Sequence, residues 1–247
     1  MEENKPAKLI HIVDNEKAEA VEDNYYGDIK NTEEQRFIGV DSASAKELSN
    51  HYHLDLALNQ SYVYDVSSQC YILLDDNVEK LFSGNKLEAY VSIFGYMGAA
   101  SVEGKVVELM KKERKQESGG EASYKAIDLS VETKKEMLAD FSKTIYVKRI
   151  FGEKNIKSYE EIREYLVERG LMNDTKLKNR LEELRYSSSQ QLKGTYENRV
   201  TLTHNLESIW EIGGNISVTP FFKANFKLQE RCKHYTEVYL ELMVSFD

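Results

Sequence analysis

From Val200 to the C-terminus the chain alternates apolar and polar residues, and this period of two constrains the fold more tightly than any other feature. Val200, Leu202, His204 and Leu206 share one parity, as do Trp210 and Ile212. After the turn sequence Gly213-Gly214-Asn215 come Ile216, Val218, Phe222, Ala224, Phe226 and Leu228, then Val238, Leu240, Leu242, Val244 and Phe246. Successive side chains of a strand point to opposite faces, so each run presents one apolar face. Three such strands joined by short connections predict an antiparallel meander. Its other face carries Glu207, Thr219, Lys223, Lys227, Glu237 and Glu241. A sheet with one apolar face needs a second layer over it.

The upstream sequence supplies helices for that layer. Ser158–Arg169 opens with Ser158 and Glu161 at capping-box spacing, carries Ile162 and Leu166, and ends at Gly170. Asn173 or Asp174 caps Lys176–Arg185, striped by Leu177, Leu181 and Leu184. Val131–Lys143, capped at Ser130 or Thr133, is a third helix, and Val102, Val106, Val107, Leu109 and Met110 predict a fourth from Ser101. That stripe runs into KKERKQE and stops at Ser118-Gly119-Gly120. Thr144–Phe151 has strand composition, and Tyr124–Leu129 is a short strand.

The N-terminal portion mixes short elements. Strands are expected over Ala7–Val13, Arg36–Asp41, His53–Leu58, Ser61–Val66 and Cys70–Leu74. Helices are expected over Glu16–Glu22, over Ala43–Asn50 behind a Ser42 cap, and as a turn at Val78–Phe82. Ala89–Val102 is a buried helix, or a strand followed by a helix. The fold class is therefore α+β: a C-terminal antiparallel β-meander packed against amphipathic helices, with a mixed N-terminal portion. The expected division is 1–117 and 124–247, the boundary falling in Gln116–Ser123.

With 41% hydrophobic and 30% charged residues the chain is neither a disordered tail nor a low-complexity repeat. Its formal charge of −9 argues against a general binder of phosphate backbones. Cys70 and Cys232 are too few for a disulfide framework and fit a reducing compartment. The N-terminus lacks the basic start and apolar run of a signal peptide, and Ala89–Val102 falls short of the roughly 20 residues of a membrane span. A cytoplasmic protein without a membrane anchor is expected.

Motifs for phosphate loops, nucleophile elbows and helical zinc sites do not occur in the sequence. Three constellations remain. The helix pair at 158–185, with its glycine turn, has the layout of a helix-turn-helix and would offer Lys176, Lys178, Asn179, Arg180 and Arg185 to nucleic acid. Asp75 and Asp76 with Glu103 and Lys105 have the residue types of a magnesium-dependent nuclease or hydrolase. His51 with His53, and Cys232 with His234, repeat a two-residue spacing, weak grounds for zinc, and neither metal nor cofactor is expected. The sixteen tyrosines point elsewhere. Tyr235, Tyr239 and Met243 lie on the polar side of the last strand, with Lys223, Lys227, Arg231 and Lys233 nearby in sequence, and tyrosine favours interfaces. The leading expectation is a non-enzymatic protein-interaction or assembly protein that self-associates through this surface; a nucleic-acid-binding regulator and a metal-dependent hydrolase follow.

Overall fold

Leu9–Val13 (β1) reads LIHIV, and all five residues are buried, as suits a strand covered on both faces. The computed structural model describes residues 6–27, 29–75, 77–110, 145–152, 156–187, 192–203, 206, 209 and 236–247. β1 lies at the centre of a first sheet. Gln35–Gly39 (β2) runs parallel to it on one side, after the helix Asn15–Glu22 (α1) has returned the chain. Ser61–Asp65 (β3) runs antiparallel on the other side, and Cys70–Leu73 (β4) closes the order β2-β1-β3-β4. Ala43–Tyr52 (α2) starts where Ser42 Oγ accepts the Ala45 N–H at 3.1 Å. One face packs Ile10, Ile12, Ile38, Tyr62 and Tyr71 with Ala45 of α2. The other sets Val13 and Phe37 against Val21 of α1.

The second sheet is antiparallel throughout, with Ser101–Met110 (β5), Tyr146–Ile150 (β6), Thr195–Thr201 (β7) and Thr236–Ser245 (β8) in the order β6-β5-β8-β7. Val102 and Val106 of β5 and Val238, Leu240, Leu242 and Val244 of β8 join one core. Val78–Tyr96 (α3), Tyr159–Glu168 (α4) and Thr175–Tyr186 (α5) cover it. α3 links the sheets, because Val63 of β3 belongs to the same cluster as its Leu87, Tyr90 and Phe94. The Ser158–Glu161 capping box forms as the spacing predicts, and Asp174 caps α5. The fold is α+β, with a mixed N-terminal region and a C-terminal antiparallel sheet packed on helices.

Four local expectations are corrected. Ser101–Met110 is a strand, not a helix: its valines fit both periods, and pairing with β8 along the full length selects two. Gly104 assists, since a Cβ there would run into Leu87 and lie 3.0 Å from Leu242 Cδ2. This pairing joins a strand before the expected 117–124 boundary to one after it. His53–Leu58 is irregular chain; His53 caps α2 in the left-handed region at φ 52°, and Leu54 and Leu56 pack from a loop. Val78–Phe82 is only the first part of α3, which absorbs the apolar run as far as Tyr96. The strand predicted through Leu206 ends at Thr201. Thr203, Leu206 and Ile209 are helical, the Leu206 N–H donating to Leu202 O at 3.1 Å, and Leu202, Leu206 and Ile209 are buried at helical spacing. The predicted strand at 216–228, the short strand Tyr124–Leu129 and the helix Val131–Lys143 lie outside the described residues.

Candidate functional site

Strand parity turns the alternate residues of the second sheet away from its helices. On that outer face β5 places Glu103, Lys105 and Val107, while β8 places Tyr239, Glu241 and Met243. The edge strands add Glu197 and Arg199 from β7, and Tyr146, Lys148 and Ile150 from β6. Glu241 sits opposite both Lys105 and Arg199, and each cation lies 3.0 Å from its carboxylate. The hydrogen bond from Lys105, helped by both charges, holds the Glu241 carboxyl below the usual range. Lys148 pairs with Glu103 at 3.4 Å, and the Arg199 guanidinium lies 4.5 Å from the centre of the Tyr239 ring. Between these polar ladders Met243 is 52% exposed, and on the edge strand Ile150 and Tyr146 are 76% and 55% exposed. A shallow hollow of about 480 Å³ runs over Glu103, Lys105, Glu197, Arg199 and Met243.

Of the residues expected to form an interaction surface, Tyr239 and Met243 occupy this face. Tyr235, Lys223 and Lys227, with Arg231 and Lys233, lie outside the described residues.

The basic residues of α5 are divided among different tasks. Arg180 pairs with Glu183, donates to the Lys193 carbonyl at 3.0 Å, and lies 4.8 Å from the centre of the Phe246 ring. Arg185 pairs with Glu182 at 3.6 Å and lies over Tyr159. Lys178 and Asn179 are exposed, and Lys176 borders the N-terminal end of the helix. Two of the five are thus tied into packing and ion pairs.

The described members of the predicted metal site fall on different elements. Glu103 and Lys105 are on the outer face, each in an ion pair, whereas Asp75 precedes α3 and accepts the Asn77 N–H at 2.8 Å. Asp76 is outside the described residues. Among the described residues no group of three or more potential metal ligands forms. His51 packs edge-on against Tyr52, and Cys232 and His234 are outside the described residues. Cys70 lies beside Tyr52, 3.5 Å from its carbonyl, with burial pushing the thiol pKa up, so its nucleophilic form is disfavoured.

One polar cluster inside the molecule has no counterpart among the sequence expectations. The Asp174 carboxylate caps α5 by accepting the Leu177 N–H at 3.0 Å, and also accepts the Tyr90 hydroxyl at 2.7 Å and the Asn198 amide at 3.1 Å. Burial and the Asp174 charge push the Tyr90 phenol far above its ordinary value, so it stays protonated and donates. Lys86 lies one turn before Tyr90 on α3. The i, i+4 spacing sets the two on one face of the helix, but Glu79, Lys80, Asn85 and Glu88 make the segment too polar overall for that pair to stand out in the sequence.

Compared with protein families, with curated proteins and with solved structures, the chain matches none. Among the described residues, no helix is long and apolar enough to cross a membrane.

Proposed function

We propose that this chain is a non-enzymatic assembly protein that pairs with a second copy of itself through the outer face of the second sheet. The observation that carries the reading is the charge pattern around Met243. Among the described residues of that face, Glu103, Glu197 and Glu241 alternate with Lys105, Lys148 and Arg199. Three carboxylates and three cations leave the face without net charge, so two copies can meet on it without overall repulsion, as a two-fold contact requires. A heterologous partner of strong single charge would meet repulsion from half of it.

The remaining chemistry suits the same role. Met243 and Tyr239 give an apolar and aromatic centre, with charged residues around them, which is the usual anatomy of an interface. Methionine adapts its shape to the surface it meets. Four strands at about 4.8 Å spacing give a face on the order of 500 Å², against roughly 800 Å² per partner in a standard interface. The dimer is therefore expected to dissociate on dilution.

Light scattering on purified protein across a concentration series tests the proposal. The expected mass rises from one chain to two, and Met243→Glu, which adds a fourth carboxylate at the centre, holds it at one chain while leaving the circular dichroism spectrum unchanged. A mass of one chain at every concentration, or a dimer untouched by Met243→Glu, overturns it. Absorbance at 260 nm on the same peak checks the nucleic-acid alternative, which predicts co-purifying material that salt removes.

A further inference from the structure

A cleft of about 360 Å³ opens between α3, the N-terminal end of α5 and the edge strand β7. Its lining includes Lys86 and Tyr90 from α3, Asp174 and Lys176 from the start of α5, and Asn198 and Arg199 from β7. Lys86 is only 8% exposed, and among the described residues it has no hydrogen-bond or ion-pair partner. A buried charge is retained at a cost unless it is paired.

Two carboxylates act on the Lys86 charge, but neither accepts a hydrogen bond from it. Asp174 is occupied by the Leu177 N–H, the Tyr90 hydroxyl and the Asn198 amide. Asp65 is occupied by the Ser67 N–H at 2.9 Å, the Ser68 hydroxyl at 3.0 Å and the Asn85 amide at 2.8 Å. Burial lowers the Lys86 pKa even though both carboxylates pull it upward. An anionic group arriving from solvent would give the Lys86 ammonium the hydrogen-bond acceptor it lacks among the described residues.

The cleft also provides the other parts of an anion site. The first N–H groups of a helix have no intrahelical acceptor, and at α5 only the third, from Leu177, is taken by the Asp174 side chain. Those of Thr175 and Lys176 border the cleft, where the helix dipole favours negative charge. The lining holds Lys86, Lys176 and Arg199 beside Asp174; Arg199 is paired with Glu241 and Asp65 also acts on Lys86, while neither Lys86 nor the exposed Lys176 is in an ion pair among the described residues. We propose that this cleft binds the oxyanion group of a small ligand, a phosphate or a carboxylate, with Lys86 as the buried counter-charge and Lys176 at the rim. A volume of about 360 Å³ is near the small end of ligand sites.

Thermal unfolding of the full chain, titrated separately with inorganic phosphate and with malonate at constant ionic strength, tests the site. Ligand that binds only the folded state raises the midpoint in a saturable way. The expected result is such a rise with phosphate, with malonate or with both, and the anion that acts identifies the group recognised. Lys86→Met keeps the length and packing of the stem, and is expected to fold and to lose the saturable rise. Lys176→Ala, an exposed change that leaves the fold intact, is expected to weaken the apparent affinity several-fold. No saturable rise with either anion overturns the proposal, and so does an equal rise in Lys86→Met. Should that variant fail to fold, an unchanged affinity in Lys176→Ala overturns it.

Discussion

The central strands of the two sheets show opposite ways of spending the same residue types. β1 buries all five of its side chains, because α2 packs on one face of its sheet and α1 on the other. β8 buries Val238, Leu240, Leu242 and Val244 but leaves Met243 half exposed and Glu241 partly so. A strand covered twice reads as a continuous apolar run, and a strand covered once reads as an alternation. The first sheet has no open face in its middle, whereas the second has helices on one side and, among the described residues, none on the other.

The largest expected effect is on the covered face of β8. Leu240→Ala deletes a fully buried side chain from the core that the second sheet shares with α3, α4 and α5, and should cost about 2–5 kcal/mol in urea unfolding. A cost near that of a surface change would mean that this face is not the core.

The first sheet is sharper in its response to pH. His11 is buried in β1, with Nδ1 2.8 Å from Ser61 Oγ, Nε2 3.2 Å from the Gln35 amide nitrogen, and its ring stacked on Phe37. Burial lowers its pKa to about 4 from the ordinary 6.5. The unfolded chain therefore takes up the proton first as pH falls. Stability from keeping His11 neutral is fully present above pH 6.5, is lost between pH 6.5 and 4, and levels off below. The loss amounts to about 3 kcal/mol by linkage. Denaturant midpoints at stepped pH should show the decline in the native sequence and a flatter profile in His11→Gln. Parallel profiles for the two would remove His11 from the account.

A smaller effect belongs to the closest approach of helix and sheet. Gly104→Ala places a methyl group against Leu87 of α3 and Leu242 of β8, and should cost about 1–3 kcal/mol by overpacking, read from the same denaturant midpoints. The smallest is on the open face, where Met243→Ala should change monomer stability by about 0.5 kcal/mol or less. A large loss there, measured below the concentration of self-association, would mean that the outer face is part of the core.

Much of this architecture was legible in the residues. LIHIV, the Ser158–Glu161 capping box and the alternation from Val238 to Phe246 each specified one structure, because local propensity and burial agree there, and of the two caps offered for α5, Asn173 or Asp174, it is Asp174 that forms. The errors fell where two periods fit the same positions. Val102 and Val106, four apart, satisfy a helix and a strand equally, and only the distant partner β8 decides between them. Leu202 and Leu206 present the same ambiguity and resolve the other way. On the outer face, Tyr239 and Met243 were legible from parity, while the pairing of Glu241 with both Lys105 and Arg199 depends on register across three strands. The Lys86 cleft was not legible, since Asp65, Tyr90, Asp174 and Asn198 come together only when α3, α5 and both sheets have docked.

The most direct test of the open face is hydroxyl-radical footprinting of Met243 over a range of protein concentrations. Tyr25, 80% exposed beyond α1, serves as the reference within the same molecule. Oxidation of Met243 relative to Tyr25 should fall as concentration rises through the monomer–dimer transition, because the second copy covers it. The same relative rate at every concentration, in a sample whose mass has doubled, would show that the chain pairs through some other surface.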